Sequence, residues 1–356
     1  MQSSILSSEI AKSQANRFLG EQPVSVHEQT GGLSGAKVWR IESSRGTFAL
    51  RHYPVEFPTQ ERLQGLHGFL KEVQVRGCTL LPCPVATREG PTWIKHDARH
   101  WEMLTWVHGE PLLESAPCRE LLITSVKALA RLHTVTAQFP ISQLVKHGEI
   151  LVGVGQGLLY RENLALRWQK HDATKVDQLL EQKSFSPTLR RIFQLQQAAV
   201  SQHFDKLQKL FQQTVQSCDR LIPVLRDVQP AHVIFNDKEV AGFIDVTAAR
   251  VDSAMGDLAR LLHRWRYAEP EWYADALAAY HTIRPLENDE RVVLDAYDFS
   301  SRLLTGVQWL RWVVLEEREF ANQVLVEQHW ERIERDLGRM LGSSSSVTAK
   351  PSVLLP

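Results

Sequence analysis

The chain has 356 residues, with 41 lysines and arginines balanced by 41 aspartates and glutamates, so its formal net charge is zero. A chain with no net positive charge lacks the long-range attraction that draws basic proteins to nucleic acids or anionic membranes. With 43% hydrophobic and 23% charged residues, the composition is typical of a globular protein with roughly two domains. The sequence therefore predicts no nucleic-acid partner and no membrane partner.

Localisation is judged from apolar runs and cysteines. The longest apolar runs, such as residues 306–315, contain polar side chains and fall short of the ~20 residues that span a bilayer. Residues 1–20 carry serine, glutamate, lysine and arginine where a signal peptide has an apolar core. The cysteines show no C-x-x-C spacing, which favours reduced thiols over a disulfide framework. We therefore expect a cytoplasmic protein.

The first part of the chain, up to about residue 107, consists of short extended runs separated by turn residues. One amphipathic helix interrupts them over residues 59–76, where leucines and a valine recur at three- and four-residue spacing. The predicted strands cover residues 24–28, 37–43, 47–53, 84–88, 92–95 and 101–107. This pattern predicts a small sheet with one helix.

Beyond residue 108 the apolar period changes to 3.6 residues, which predicts helices for most of the remaining chain. Pro117 and the Ser186-Pro187 pair are typical of helix starts. Further helices are predicted over residues 256–267, 271–283, 289–318 and 323–341. The tail at 343–356 contains a serine run and two prolines, so we expect it to be disordered.

One β-like segment, residues 223–246, interrupts the helical part and contains most of its polar chemistry. Asp227 and then His232 precede one apolar strand, and Asp245 follows a second. Two short strands joined by a polar turn form a hairpin, whose two outer ends lie side by side. We therefore expect Asp227, His232 and Asp245 to converge.

This spacing resembles the catalytic loop of protein kinases, and it is still more similar to the aminoglycoside phosphotransferase and choline kinase branch of that fold. In that branch the loop reads His-Gly-Asp-x-x-x-x-Asn and a later Ile-Asp motif follows. Arg226-Asp227, Pro230 and Ile244-Asp245 match this pattern. Asp257, in Gly-Asp-Leu-Ala, matches the helix start of the branch and is expected to support the loop.

The resemblance covers nearly the whole chain and implies an α+β, two-lobe, protein-kinase-like fold. A small antiparallel β-sheet lobe would occupy residues 20–107, and a larger, mostly helical lobe would occupy 108–342. In the small lobe the resemblance implies a set of nucleotide-binding residues. These are Gly31, Gly32 and Ser34 in a glycine-rich flap, Arg51 at the usual lysine position, Glu61 as its ion-pair partner, and Thr105 and Val107 in the linker beside the base.

The activity implied by the resemblance is transfer of the γ-phosphate of ATP or GTP to a hydroxyl of a small molecule. Asp227 would be the catalytic base, accepting the hydroxyl proton. His232 and Asp245 would bind the divalent ion, Mg or Mn. Because magnesium prefers oxygen ligands and imidazole suits manganese better, His232 leaves the choice of metal open.

Three residues depart from the family pattern and define the main alternative. Leu225 replaces the loop histidine, Arg51 replaces the lysine, and His232 replaces the asparagine. The alternative is a catalytically silent, pseudokinase-like, nucleotide-binding regulatory protein. A third possibility, an NAD-linked enzyme using the glycines of residues 153–157, is disfavoured because the spacing is G-x-G-x-G and no βαβ pattern surrounds it.

Acidic residues in the last helices bear on the substrate. They would suit a cationic substrate such as an amino sugar or choline, although a solvated helix face is the interpretation that we favour. The residues concerned are Glu269, Glu271, Asp275, Glu316, Glu317 and Glu319.

Overall fold

A computed structural model describes residues 2–29, 35–55, 58–139, 154–217, 219–320 and 322–342. The chain divides into two compact units: Met1–Leu159 with Gln213–Asp298, and Tyr160–Gln212 with Phe299–Pro356. The boundaries of these units differ from those of the two predicted lobes. The lobe boundaries therefore stay a prediction. The tail predicted to be disordered lies outside the described residues.

The first unit contains a five-stranded antiparallel sheet in the order β1-β2-β3-β5-β4. Strands β2 and β3 pair along their whole length and alternate more and less buried positions, as expected for a sheet with one face on the core. In chain order the elements here are α1 (Gln2–Leu19), β1 (Ser25–Glu28), β2 (Lys37–Ser43), β3 (Gly46–His52), α2 (Gln60–Val75), β4 (Trp93–His96) and β5 (Arg99–Thr105).

Helix α1 was not predicted from the sequence, and it belongs to the core of the sheet. Its residues Ala11, Ala15, Phe18 and Leu19 are buried in one cluster with Trp39 and other sheet residues. They recur at four-, three- and one-residue spacing, which places them on one helix face. This signal was present but weak, because Ile5, Leu6 and Ile10 spread the apolar residues of the sequence beyond this face.

The predicted strand at residues 84–88 is wrong. Pro84 makes one isolated bridge with Leu104, and the Val85 N–H then donates to the Met103 carbonyl at 2.8 Å. The Thr87 N–H then donates to the Pro91 carbonyl at 2.7 Å, so the chain turns away after this one bridge and no ladder forms.

The remaining described elements are mostly helices, and their short strands pair only as β6 with β9 and β7 with β8, both antiparallel. The elements continue with α3 (Leu112–Ser115), α4 (Arg119–Thr136), α5 (Gln156–Arg167), α6 (Ala173–Gln182), α7 (Pro187–Val215), β6 (Leu221–Val224), β7 (Val233–Asn236), β8 (Glu239–Phe243), β9 (Arg250–Ser253), α8 (Ala254–Leu262), α9 (Trp265–Ala268), α10 (Pro270–Ile283), α11 (Asn288–Leu310) and α12 (Gln323–Met340).

In the second unit two π-helical turns, Trp168–Asp172 and Arg311–Leu315, extend α5 and α11. Arg311 Nη1 and Asp172 Oδ2 lie 2.7 Å apart, so an ion pair joins the two turns. A π-turn is a local insertion in a helix. The predicted continuous helix at residues 289–318 is therefore correct in its start but irregular near its end.

The small antiparallel sheet and the larger helical part confirm the predicted α+β class. Among the residues that the structure describes, no helix combines the length and the apolarity needed to cross a bilayer.

His52, at the end of β3, should make the stability of the fold depend on pH. Its ring stacks on Trp101 with centroids 4.0 Å apart. Burial, aided by the positive charges of Arg99 and Lys37, lowers the pKa of His52 from 6.5 to about 4. The folded state therefore disfavours protonated His52, and the free energy of unfolding should fall as the pH drops from about 6.5 towards 4.

His52→Phe keeps a ring on Trp101 and removes the titrating group. Urea unfolding at pH values on either side of this window should show a smaller loss of stability in acid for the variant than for the wild type. Equal losses in the two proteins would contradict this assignment.

Candidate active site

The loop between β6 and β7 is held by one buried carboxylate, Asp257, near the start of α8. Its Oδ2 accepts the backbone N–H of Leu225 at 2.8 Å, and its Oδ1 accepts that of Arg226 at 2.6 Å. Asp257 is fully buried. Hydrogen bonds to a charged acceptor are stronger than neutral ones, so this carboxylate fixes the residues immediately before Asp227. The structural role predicted for Asp257 agrees with this geometry.

A second layer of contacts orients Asp257. His133 of α4 is fully buried, with Nε2 3.2 Å from Asp257 Oδ2 and Nδ1 2.7 Å from the Tyr280 hydroxyl. Burial lowers the pKa of His133, which favours the neutral ring. A carboxylate only accepts, so Nε2–H donates to Asp257 and Nδ1 accepts from Tyr280. The loop between β6 and β7 is thereby tied to α4, α8 and α10.

Arg226 adopts a left-handed backbone with φ of 65°, which is uncommon for a residue other than glycine. Its N–H bond to Asp257 holds this conformation, and its Nε lies 3.2 Å from Asp252 Oδ2. Asp252 also accepts the Tyr297 hydroxyl at 2.9 Å. Strained backbone of this kind persists where the surroundings fix it, as they do here beside Asp227.

The glycine repeat at residues 153–157 has a packing explanation in the residues described. The Gly157 N–H donates to Asp252 Oδ2 at 2.9 Å, and a Cβ on Gly157 would lie 2.7 Å from the Tyr297 hydroxyl. The described strand pairs are all antiparallel, so they form no βαβ unit for a dinucleotide. These contacts support a structural role for the repeat.

The predicted hairpin is formed by β7 and β8, which are joined across Asp237 and Lys238. Beyond the hairpin the Ile244 N–H donates to the His232 carbonyl at 2.9 Å. Ligand atoms of Asp227, His232 and Asp245 lie within 4.8 Å of one another. The convergence that the spacing predicted is therefore present in the structure.

The orientation of His232 suits metal binding. Its Nδ1 lies 2.7 Å from the backbone carbonyl of Asp227, and because a carbonyl only accepts, Nδ1 must carry the proton. In the neutral ring this leaves the lone pair on Nε2, which lies 3.9 Å from Asp245 Oδ2. A hydrogen bond that fixes the tautomer of a ligating histidine is typical of metal sites. The donor set of imidazole nitrogen and carboxylate oxygen fits a divalent cation such as manganese.

Asp245 faces a cation on its other side. Its Oδ1 lies 3.1 Å from Arg51 Nη1, and the Thr247 hydroxyl donates to the same oxygen at 3.4 Å. Burial alone would raise the pKa of Asp245, but Arg51 and His232 outweigh burial and hold that pKa below its ordinary value. Asp245 is therefore ionised at neutral pH, as a metal ligand must be.

The carboxylates that face Arg51 are Asp245 and Glu102 of β5, and the expected pairing with Glu61 is not formed among the described residues. Arg51 Nε lies 4.0 Å from Glu102 Oε1. Glu61 is exposed in the first turn of α2, where its side chain bonds Thr59 at the helix start. An acid in this turn is favoured by the helix dipole, which explains its presence without a contact to Arg51.

Glu102 is completely buried and receives two further hydrogen bonds. The Tyr53 hydroxyl donates to Oε1 at 2.5 Å, and His67 Nε2 lies 2.7 Å from Oε2. Burial would raise the pKa of Glu102, but His67, Arg51 and Tyr53 together lower it below its ordinary value. The group is an ionised buried carboxylate with a full set of donors, which is the condition for a buried charge to be tolerated.

Sequence reasoning missed Glu102, His67 and Arg62. Arg62 of α2 donates to the carbonyls of Thr247, at 2.9 Å, and of Ala249, so it ties α2 to the segment after Asp245. A lone acid inside an otherwise apolar strand was a usable signal for Glu102. The partners of His67 and Arg62 lie far away in sequence, so no local pattern could identify them.

The predicted linker contains one backbone group open to a ligand. The Thr105 N–H donates to the Cys83 carbonyl at 2.9 Å, and the Trp106 N–H donates to the Thr47 carbonyl at 3.1 Å. The structure gives the N–H of Val107 no such backbone partner within the described residues. Gly31, Gly32 and Ser34, the predicted flap, lie outside those residues.

Asp227 itself is held at one oxygen. Arg260 Nη2 lies 2.5 Å from Oδ1, and the Gln229 amide donates to the same atom at 2.9 Å. The side chain is 28% exposed. Within the described residues both of these contacts fall on Oδ1, which leaves Oδ2 without a hydrogen-bond donor from this part of the chain.

Comparison with known proteins places this geometry in context. The family model described as the phosphotransferase enzyme family matches residues 26–297. No curated protein matches the sequence at a significant level.

Several solved structures share the fold at low sequence identity. Spectinomycin phosphotransferase, solved with ADP and spectinomycin, has a TM-score of 0.70 at 10% identity, covering 93% of this chain and 98% of that one. Amicoumacin kinase, solved with AMP-PNP and Ca²⁺, has a TM-score of 0.62 at 12% identity, covering 94% and 96%. Aminoglycoside 2'-phosphotransferase-IIIa, solved with GDP, has a TM-score of 0.59 at 15% identity, covering 94% and 98%. The protein-kinase-like fold predicted from the sequence is therefore confirmed.

The assignment of Glu102 rather than Glu61 to Arg51 can be tested by stability. Glu102→Gln leaves the partly buried Arg51 and the buried His67 without their shared anion, and breaking a buried ion pair costs about 3 kcal/mol of unfolding free energy. Glu61→Gln changes an exposed side chain and should alter it by less than about 0.5 kcal/mol. Urea unfolding of both variants measures the difference. A larger loss for Glu61→Gln would refute the assignment.

Proposed function

Because the chain belongs to the phosphotransferase enzyme family, we propose that it is a small-molecule kinase that transfers the γ-phosphate of ATP or GTP to a substrate hydroxyl. The observation that carries this proposal is the convergence of Asp227, His232 and Asp245, with Arg51 on Asp245. These are the residue types that phosphoryl transfer requires: a base, a metal site and a cation for phosphate oxygens.

In the proposed reaction the acceptor hydroxyl binds at Oδ2 of Asp227. Its oxygen forms a bond to the γ-phosphorus as the bond from that phosphorus to the bridging oxygen of the nucleotide breaks, and the diphosphate leaves. The hydroxyl proton passes to Asp227. Arg260 and Gln229 hold the other carboxylate oxygen, so the base is oriented before the substrate arrives.

His232 and Asp245 are the residues that would hold a divalent ion. A bound Mg or Mn ion would supply positive charge to the phosphates of the nucleotide. Arg51 can bridge phosphate oxygens with its planar guanidinium, as the family lysine does with a single ammonium group. The N–H of Val107, which has no backbone partner among the described residues, would donate to a purine base. Relatives solved with ADP, AMP-PNP and GDP support a nucleotide, and they leave the choice between ATP and GTP open.

The three departures from the family pattern are each accommodated by contacts in this chain. Leu225 is buried, and Asp257 binds its backbone N–H, so the anchor of the loop does not need a particular side chain at that position. His232 keeps a lone pair for a metal. Arg51 keeps its charge between two acids. These observations favour an active kinase over a catalytically silent nucleotide-binding protein.

The pseudokinase-like alternative differs in one measurable outcome. A silent protein would bind the metal–nucleotide complex and transfer phosphate to no alcohol, whereas a kinase transfers it to at least one member of a broad panel of hydroxylated metabolites. Release of nucleoside diphosphate that depends on the added alcohol distinguishes the two. The cytoplasmic location and the absence of nucleic-acid and membrane partners stay predictions from composition.

Variants of Asp227 and Asp245 should be impaired in different assays. Asp227→Asn removes the base and should lower kcat by about 100-fold or more while leaving nucleotide affinity nearly unchanged. Asp245→Asn should weaken binding of the metal–nucleotide complex by about tenfold or more, and chelation of the metal should do the same to the wild type. Calorimetry gives the affinity, and diphosphate release with any alcohol that the wild type accepts gives kcat. Identical behaviour of the two variants would contradict the roles assigned.

His232 should set the preference for the metal. An imidazole ligand suits manganese better than magnesium, so we expect manganese to support higher activity at equal concentration. His232→Asn restores an oxygen ligand and should shift the activity ratio towards magnesium. His281→Asn, on α10, is the matched control. An unchanged manganese-to-magnesium ratio in His232→Asn would remove His232 from the metal site.

A further inference from the structure

Arg260 of α8 stands next to Asp227, the proposed base. Its Nη2 lies 2.5 Å from Asp227 Oδ1, and its side chain is 43% exposed. A guanidinium has five N–H donors. Within the described part of the chain Asp227 is its ion-pair partner, and the exposed part of the side chain leaves donors open to solvent beside the proposed base.

The other basic residues that follow Arg260 have different surroundings. Arg266 meets Asp295 at 2.7 Å and Asp298 at 3.4 Å, and His263 Nδ1 lies 3.8 Å from Asp298. Arg264 is exposed, with its guanidinium 5.2 Å from the Trp265 ring. Of these cations, Arg260 is the one whose partner is the catalytic base.

Three of the six acidic residues considered for a cationic substrate, Asp275, Glu316 and Glu317, already have partners in the structure. Asp275 forms an ion pair with Arg119 at 2.6 Å. In the second unit Glu316 pairs with Arg311 at 3.4 Å, and Glu317 pairs with Lys183. These acids already have cationic partners, so they are explained as surface charge pairs without a bound amine.

We propose that Arg260 is a specificity-determining residue that binds an anionic group, a carboxylate or a phosphate, on the hydroxylated acceptor. This inference rests on the proposed function, since it concerns the acceptor site of the same kinase. One edge of the guanidinium holds Asp227, and its remaining donors receive the anion. A carboxylate or phosphate fits the planar donor array of arginine. An ammonium group at the same place is repelled.

The geometry couples recognition to catalysis. Arg260 and Asp227 are joined in one ion pair. An acceptor whose anionic group binds Arg260 therefore has its hydroxyl close to Asp227 Oδ2. An acceptor without the anion has no such anchor. A charge-assisted hydrogen bond of this kind corresponds to about 10- to 100-fold in affinity.

The test uses four straight three-carbon alcohols whose far end carries a carboxylate, a phosphate monoester, a second hydroxyl or an ammonium group. Calorimetry measures their binding to the full-length protein saturated with manganese and a non-hydrolysable nucleotide, so no turnover is needed. The proteins compared are the wild type, Arg260→Gln, Arg260→Lys and, as the matched control one helical turn away, Arg264→Gln.

We expect at least one anionic alcohol to bind the wild type about tenfold or more tightly than the diol, with the ammonium alcohol weakest. Which of the two anions binds better identifies the group. Arg260→Gln should abolish the preference, Arg260→Lys should keep part of it, and Arg264→Gln should keep all of it. A general loss of structure would also remove nucleotide binding, which is measured in the same preparations and identifies such a variant.

Three results would overturn the inference: tighter binding of the ammonium alcohol, an order that survives Arg260→Gln, or no binding of either anion. Nucleotide binding and phosphate transfer are measured separately in the same preparations. If the wild type transfers phosphate to the diol or the ammonium alcohol in preference to the anions, the kinase assignment stands and the role of Arg260 falls. If the protein binds no nucleotide, the proposed function fails, and this inference fails with it.

Discussion

The candidate active site depends on one buried carboxylate that receives backbone N–H groups. Asp257 is surrounded by protein on all sides, so its charge is tolerated only because Leu225, Arg226 and His133 all donate to it. In return it fixes the conformation of the loop immediately before Asp227. The position of Asp227, the proposed base, thus follows from the electrostatic needs of Asp257.

The charges around the nucleotide site are arranged differently from the expected lysine–glutamate pair. Arg51 lies between Glu102 and Asp245, while His67 of α2 contacts the same Glu102. Helix α2 is therefore connected to Arg51 through a histidine and a strand carboxylate. Arg62 makes a second connection, from α2 to the segment after Asp245. Arginine in place of lysine and a carboxylate on β5 in place of one on α2 form a single arrangement. In the sequence only Arg51 is apparent, so it looked like the loss of a required lysine.

Sequence patterns predicted those features that local physics determines. The β7–β8 hairpin and the start of α7 at Pro187 depend on turn residues and apolar periodicity, and both were found as predicted. Helix α1 and Glu102 were missed because their burial is decided by distant parts of the chain. The spacing of Asp227 and Asp245 predicted that they converge. It could not predict that Arg260 would contact Asp227, since that contact depends on how α8 packs.

Two carboxylates so close together would repel each other strongly in the absence of compensating charge. In this site each acid has its own arginine, since Arg51 faces Asp245 and Arg260 faces Asp227. The two arginines therefore balance the charges of the two acids. Under the proposed function the phosphates compete with Asp245 for Arg51, which favours the phosphates only when Asp245 gains another cation. The acceptor meets Arg260 without displacing Asp227, because one guanidinium has donors enough for both. Under these two proposals, nucleotide binding depends on the metal ion, and acceptor binding depends on the charge of the substrate.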